Sequence, residues 1–154
     1  MESATGPSPE LTRAVARLSA NYLLRCLRLV TDLHQGELLN AIICQAIIGA
    51  NTRHLTHPTD AERQGFDETG LPPDEARKPI SILALADSLG LPFETTRRHV
   101  ARLEAAGACK RVRGGVIVPS SALADQRFYE AAQTSFGYTQ QFVRNLRRAG
   151  VPID

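Results

Sequence analysis

The sequence predicts a mainly α-helical chain carrying one small β-hairpin between long N- and C-terminal helices. Three observations predict it. Near both ends, apolar residues recur at steps of three and four over more than twenty positions. Between residues 80 and 107, two short helical patterns are separated by Gly90. Gly114-Gly115 then stands between β-forming residues, a hairpin pattern. At 154 residues, 43% hydrophobic and 22% charged, the chain has the size of one domain, or of one domain with a helical arm. It buries enough surface to need neither disulfides nor metal.

The elements follow in order. Residues 1–8 are small, polar and Pro/Gly-bearing, and read as a disordered N-terminus. Residues 9–53 form an N-terminal helical region. Ser8-Pro9 reads as an N-cap with Pro at the first helical position. Leu11, Val15, Leu18, Tyr22, Cys26, Leu29, Val30 and Leu33 then trace one helix face, which Gly36 ends or bends. A second helix over about 37–53 is apolar around most of its circumference, so it is expected to be buried on several sides. Residues 54–77 are an acidic loop, net −5 over 54–76, broken by glycines and prolines. It reads as an insertion without regular order.

Residues 78–119 are sharply punctuated. Ser81 is a candidate N-cap for a helix over 82–89, and Gly90 suits a turn that needs positive φ. Pro92 opens a helix that runs to Ala106, with Glu94 in its first turn and Gly107 stopping it. Two short strands follow around Gly114-Gly115. Residues 120–154 read as a C-terminal region with one helix over about 121–148, capped by Ser120 or Ser121 and containing Gly137 as a candidate bend.

The net charge of +2 excludes a polybasic coat or an acidic tail as the main feature, but it hides a +4 patch over 93–115. Of the 18 basic residues 16 are Arg, a ratio that suits phosphate and guanine contacts but that codon bias explains more readily. Cys26, Cys44 and Cys109 are odd in number and far apart, as expected of reduced thiols in a cytoplasmic protein. The N-terminus has neither the basic start nor the apolar core of a signal peptide. The most apolar stretch, 38–50, is too short and polar to span a bilayer.

The run LALADSLGLPFETTRRHVARLEAAGACKRVRGGVIVP resembles the winged helix-turn-helix of bacterial transcription regulators of the IclR, MarR and GntR kinds. Leu85-Ala86, Gly90-Leu91, Val100, Leu103 and the Leu103-Glu104-Ala105-Ala106-Gly107 ending carry the likeness. It covers about 40 residues and implies a mainly α fold, a winged helix-turn-helix with a β-hairpin wing, flanked by the long terminal helices. It also implies sequence-specific binding to double-stranded DNA through the second motif helix.

Periodicity agrees. With Leu85, Leu89, Val100 and Leu103 facing inward, Glu94, Arg97, Arg98 and Ala101 face outward. Arg97 and Arg98 are candidates for base edges. Thr95 and the helix start are candidates for a phosphate, and Phe93 for a thymine methyl. Arg102 and Lys110 divide evenly between contact and solvated surface. Arg111 and Arg113 on the wing would reach a phosphate or the minor groove. Thr96 departs from the family pattern, placing a hydroxyl where an apolar β-branched residue is usual, so it requires a partner. The loop would be an insertion within the domain, with 78–80 as a small strand pairing with the wing.

The terminal helices are expected to contribute to a homodimer, since paired recognition helices read half-sites roughly 34 Å apart. A small-molecule effector stays open as a further partner. His54, His57 and Cys44 allow a metal site to be drawn, but no Cys-x-x-Cys accompanies them, and no metal or cofactor is expected. No phosphate-binding glycine loop, nucleophile elbow or carboxylate pair points to catalysis. The alternatives are a winged-helix protein-interaction module without DNA binding, or a ligand- or metal-responsive sensor.

Overall fold

The computed structural model describes residues 6–154, so the first five residues of the predicted disordered stretch lie outside it. The elements are α1 (Pro9–Asp32), α2 (Leu38–Thr52), a 3-10 turn (Arg53–Leu55), α3 (Asp60–Gln64), a second 3-10 turn (Asp74–Ala76), α4 (Ile82–Leu89), α5 (Phe93–Ala105), β1 (Lys110–Val112), β2 (Gly115–Ile117), α6 (Ser120–Leu123) and α7 (Gln126–Arg148). The chain divides into two compact units, one comprising the stretches before Val30 and after Tyr129, the other Val30–Tyr129.

In the second unit, α2 supplies the centre of the core. Ala41, Ile43, Cys44 and Ile47 are fully buried on it, as its apolar circumference predicts. Leu85, Val100, Leu103, Val116 and Val118 close around them from α4, α5 and the hairpin. The Ser81 hydroxyl caps α4 by accepting from Ala84 N–H at 3.1 Å. Gly90 ends α4 in the left-handed region, φ +64°, and turns the chain into α5. Ala86 is 2% exposed between the two helices, where a larger side chain would separate them.

The hairpin pairs Lys110 with Ile117 and Val112 with Gly115. Ile80 adds an isolated bridge to Val116, so of the small strand expected over 78–80 only Ile80 pairs with the hairpin. Asn51 locks this edge. Its backbone carbonyl accepts from Lys78 N–H (3.0 Å), and its side-chain amide donates to the Lys78 carbonyl (2.7 Å) and the Val116 carbonyl (3.2 Å). Its Oδ1 accepts from Val118 N–H at 2.9 Å.

Two expectations need correction. The acidic segment is not irregular: Thr59 and Glu62 form a capping box on α3, and Asp67 Oδ1 accepts from Thr69 N–H, Thr69 Oγ1 and Leu71 N–H. The C-terminal region is not one helix, because α6 ends and Asp125 recaps the chain by accepting from Arg127 N–H at 2.8 Å. Neither Ser120 nor Ser121 caps α6; Pro119 holds that position with no side-chain hydrogen bond. α7 then runs unbroken through Gly137.

In the first unit, α1 and α7 lie antiparallel. Tyr22 stacks on Phe142 with ring centroids 4.5 Å apart, and its hydroxyl is 2.9 Å from Thr139 Oγ1. Arg25 sits 4.0 Å above the Tyr138 ring. Ser8 caps α1 through Leu11 N–H at 3.1 Å. Neither helix contains a buried residue among those described. None of the helices of the described residues is long and apolar enough to cross a membrane.

Two substitutions test the hairpin edge. Asn51→Ala leaves buried donors and acceptors unpaired and is expected to cost about 2–4 kcal/mol in urea unfolding. Gly115→Ala drives a Cβ into the Ile80 carbonyl at φ +146°, so the bridge must open. Amide exchange at Ile80 and Val116 should accelerate in that variant.

Candidate nucleic-acid interface

The outer face of α5 is built by the burial of its inner face. Thr96, Val100 and Leu103 are buried, which turns Glu94, Arg97, Arg98 and Ala101 to solvent by helical geometry. The Thr96 hydroxyl finds its partner within the helix, donating to the Pro92 carbonyl at 3.1 Å. Phe93 is 46% exposed at the helix start, and Thr95 is half-buried beside it. His99 turns away from this face. Its Nδ1 is 2.6 Å from Asn40 Oδ1 on α2, a bond that fixes α5 against the core helix.

The six cations of the basic patch divide into two groups. Three have carboxylate partners: Arg97 Nε with Glu94 at 2.6 Å, Lys110 Nζ with Asp74 at 2.9 Å, and Arg111 Nε with Glu104 at 2.9 Å. Arg98, Arg102 and Arg113 have no ion-pair partner among the described residues. The exposed pairs Arg97–Glu94 and Arg111–Glu104 are worth only about 0–1 kcal/mol, so a phosphate can displace those carboxylates at little cost. Arg98 continues the outer face of α5, Arg113 stands at the hairpin turn, and Arg102 lies a turn further along α5. Arg102 also borders a cavity formed with the α1–α2 turn and the α6–α7 junction.

Sequence reading missed Asp74 and Arg77. Asp74 Oδ1 accepts from Ser120 N–H at 2.8 Å, while Oδ2 takes the Lys110 ammonium. Arg77 is buried, donates to the Pro72 carbonyl at 3.2 Å and approaches Asp74 at 3.7 Å. Together they strap the end of the acidic segment to the hairpin and to α6. No local pattern reveals the role of Asp74, since its partners Lys110 and Ser120 lie 36 and 46 residues away.

The histidines and cysteines do not converge. His54 Nε2 lies 2.8 Å from the Ala76 carbonyl. Burial raises the Cys44 thiol to about 12, with the nearby Cys109 adding to the shift. Among the described residues no group of three or more His, Cys, Asp or Glu is placed to hold a metal ion.

Partial burial opposes ionisation of Asp74, but the Ser120 N–H and the Lys110 ammonium outweigh it and hold the carboxyl below its ordinary value. The folded state is therefore favoured above the unfolded pKa of about 3.9, and this contribution fades as pH falls through the lower folded value. Asp74→Asn keeps an oxygen for Ser120 but loses the charge. Its thermal melts are expected to lose less stability than those of the parent chain on acidification below about pH 4. An equal loss in both would contradict the assignment. Compared with known proteins, the chain matches no family model, no curated protein and no solved structure.

Proposed function

We propose that residues 78–119 form a winged helix-turn-helix that binds double-stranded DNA, and that the protein is a cytoplasmic transcriptional regulator acting as a homodimer. One observation carries the reading. α5 buries one face against α2 and α4 and turns the opposite, arginine-bearing face to solvent directly after the Gly90 turn. A helix held this way is suited to the major groove, with its first turns at the base edges. Arg97 and Arg98 are the proposed base contacts, and Phe93, Glu94 and Thr95 stand at the entering end. Lys110, Arg111 and Arg113 on the hairpin, with Arg102, are the proposed phosphate contacts.

The homodimer is proposed on a physical ground. α1 and α7 leave Leu23 at 56%, Leu24 at 63% and Phe136 at 67% exposure and bury no residue of their own. Amphipathic helices are stabilised by burying such a face, and a second copy of the pair supplies it symmetrically. A second reading, a protein-interaction module without DNA binding, draws on the exposed Leu83 and Phe93 and on the three cations already paired with carboxylates.

Polarisation titrations with genomic DNA fragments separate the two readings. Binding that survives nonspecific competitor and weakens with salt is expected for the regulator. Arg97→Ala with Arg98→Ala should lower affinity about tenfold or more and flatten sequence preference. Unchanged affinity and preference would exclude α5 as the reading helix. For assembly, sedimentation should give a dimer mass for the parent chain and a monomer mass for Leu24→Glu with Phe136→Glu; a monomeric parent would refute the homodimer.

A further inference from the structure

A cavity of about 350 Å³ opens within the Val30–Tyr129 unit, where the α1–α2 turn, the last turn of α5 and the α6–α7 junction meet. That volume lies within the range of small-molecule sites. Its walls combine apolar surface from Leu33, Leu103 and Phe128 with the polar side chains of His34, Glu37 and Arg102 and with Asp125 and Arg127, which pair with each other at 3.3 Å.

His34 is the first mark of a built site. Its Nε2 is buried without a hydrogen-bond partner among the described residues, a condition that native proteins seldom retain. Its ring meets Phe128 edge-on, with centroids 6.2 Å apart. Burial lowers the His34 pKa, so the imidazole is neutral at pH 7. The next residue, Gln35, also borders the cavity and holds a left-handed conformation, φ +56°, that non-glycine residues seldom adopt.

Arg102 and Glu37 are the second mark. Neither side chain is in an ion pair among the described residues. Both charges act on His99, whose protonation is opposed by burial and then by Arg102 and Arg98, and favoured by Glu37. Both residues border the cavity. Asn40 also borders the cavity; its Oδ1 faces His99, and its amide nitrogen has no hydrogen-bond partner among the described residues.

One unpaired cation, one unpaired anion and an apolar wall call for a ligand with the same three parts. A plain carboxylic acid would face Glu37, and a plain amine would face Arg102. We propose that this cavity binds a small zwitterion, an α-amino acid with an apolar side chain. Its carboxylate is held by Arg102 and the Asn40 amide. Its ammonium lies between Glu37 and the His34 ring, and its side chain lies against Leu33, Leu103 and Phe128. This binding holds or fails whether or not α5 reads DNA.

Calorimetric titration of the full chain with L-phenylalanine, L-leucine, 3-phenylpropanoate and 2-phenylethylamine tests it without DNA. At least one amino acid is expected to bind in the millimolar range or tighter. Each phenyl analogue should bind at least about tenfold more weakly than L-phenylalanine or L-leucine, the scale of one lost charged contact. Glu37→Gln should weaken the amino acid about tenfold or more without weakening phenylpropanoate. Arg102→Gln, also at an exposed position, should do the same without weakening phenylethylamine. Circular dichroism checks that both variants fold. No binding of either amino acid, analogues that bind equally well, or variants that leave affinity unchanged would each overturn the proposal.

Discussion

Asn51 is the residue on which the Val30–Tyr129 unit turns. It is fully buried at the end of α2, and every hydrogen-bonding group of its side chain is engaged. Through it the central helix grips the chain returning from the acidic segment at Lys78 and the hairpin at Val116 and Val118. A buried amide is tolerated only when its polar atoms are satisfied, and here that requirement fixes three segments at once. The Ile80–Val116 bridge, the close approach at Gly115 and the seating of Val116 and Val118 in the core all follow from that grip. α5 is placed in turn, because its buried face packs on the same core and His99 ties it to Asn40.

Electrostatics on the outside of this unit is local. Carboxylates stand beside three of the six cations of the basic patch, while Arg98, Arg102 and Arg113 have no ion-pair partner among the described residues. The acidic segment meets the patch at one residue, Asp74, and does so as a strap shared by Lys110 and Ser120. The segment thus anchors the hairpin through Asp74.

The two units are stabilised differently. The Val30–Tyr129 unit has a close-packed centre around Ile43, Ile47 and Leu85. The α1–α7 pair relies on half-buried aromatic contacts, the Tyr22–Phe142 stack and the Arg25–Tyr138 cation–π pair, and leaves large apolar side chains in water. Such contacts hold register between helices but remove little apolar surface from solvent.

Much of the helical order was written locally. Ser8, Ser81, Gly90 and the Gly114-Gly115 turn act where they stand, because caps and positive-φ turns depend on neighbours three or four residues away. The inward set Leu85, Val100 and Leu103, and with it the outward set Arg97 and Arg98, follows from helical period alone. The Thr59–Glu62 box and the Asp125 cap were equally local, yet glycines, prolines and an uninterrupted apolar period hid them. What only the tertiary structure decided is which distant groups meet. Asp74 with Lys110 and Ser120, Asn51 with Lys78 and Val118, and His34 with Arg102 at one cavity join residues far apart in sequence. No spacing rule encodes those meetings, because they depend on how the helices pack around α2, and packing is a property of the whole core.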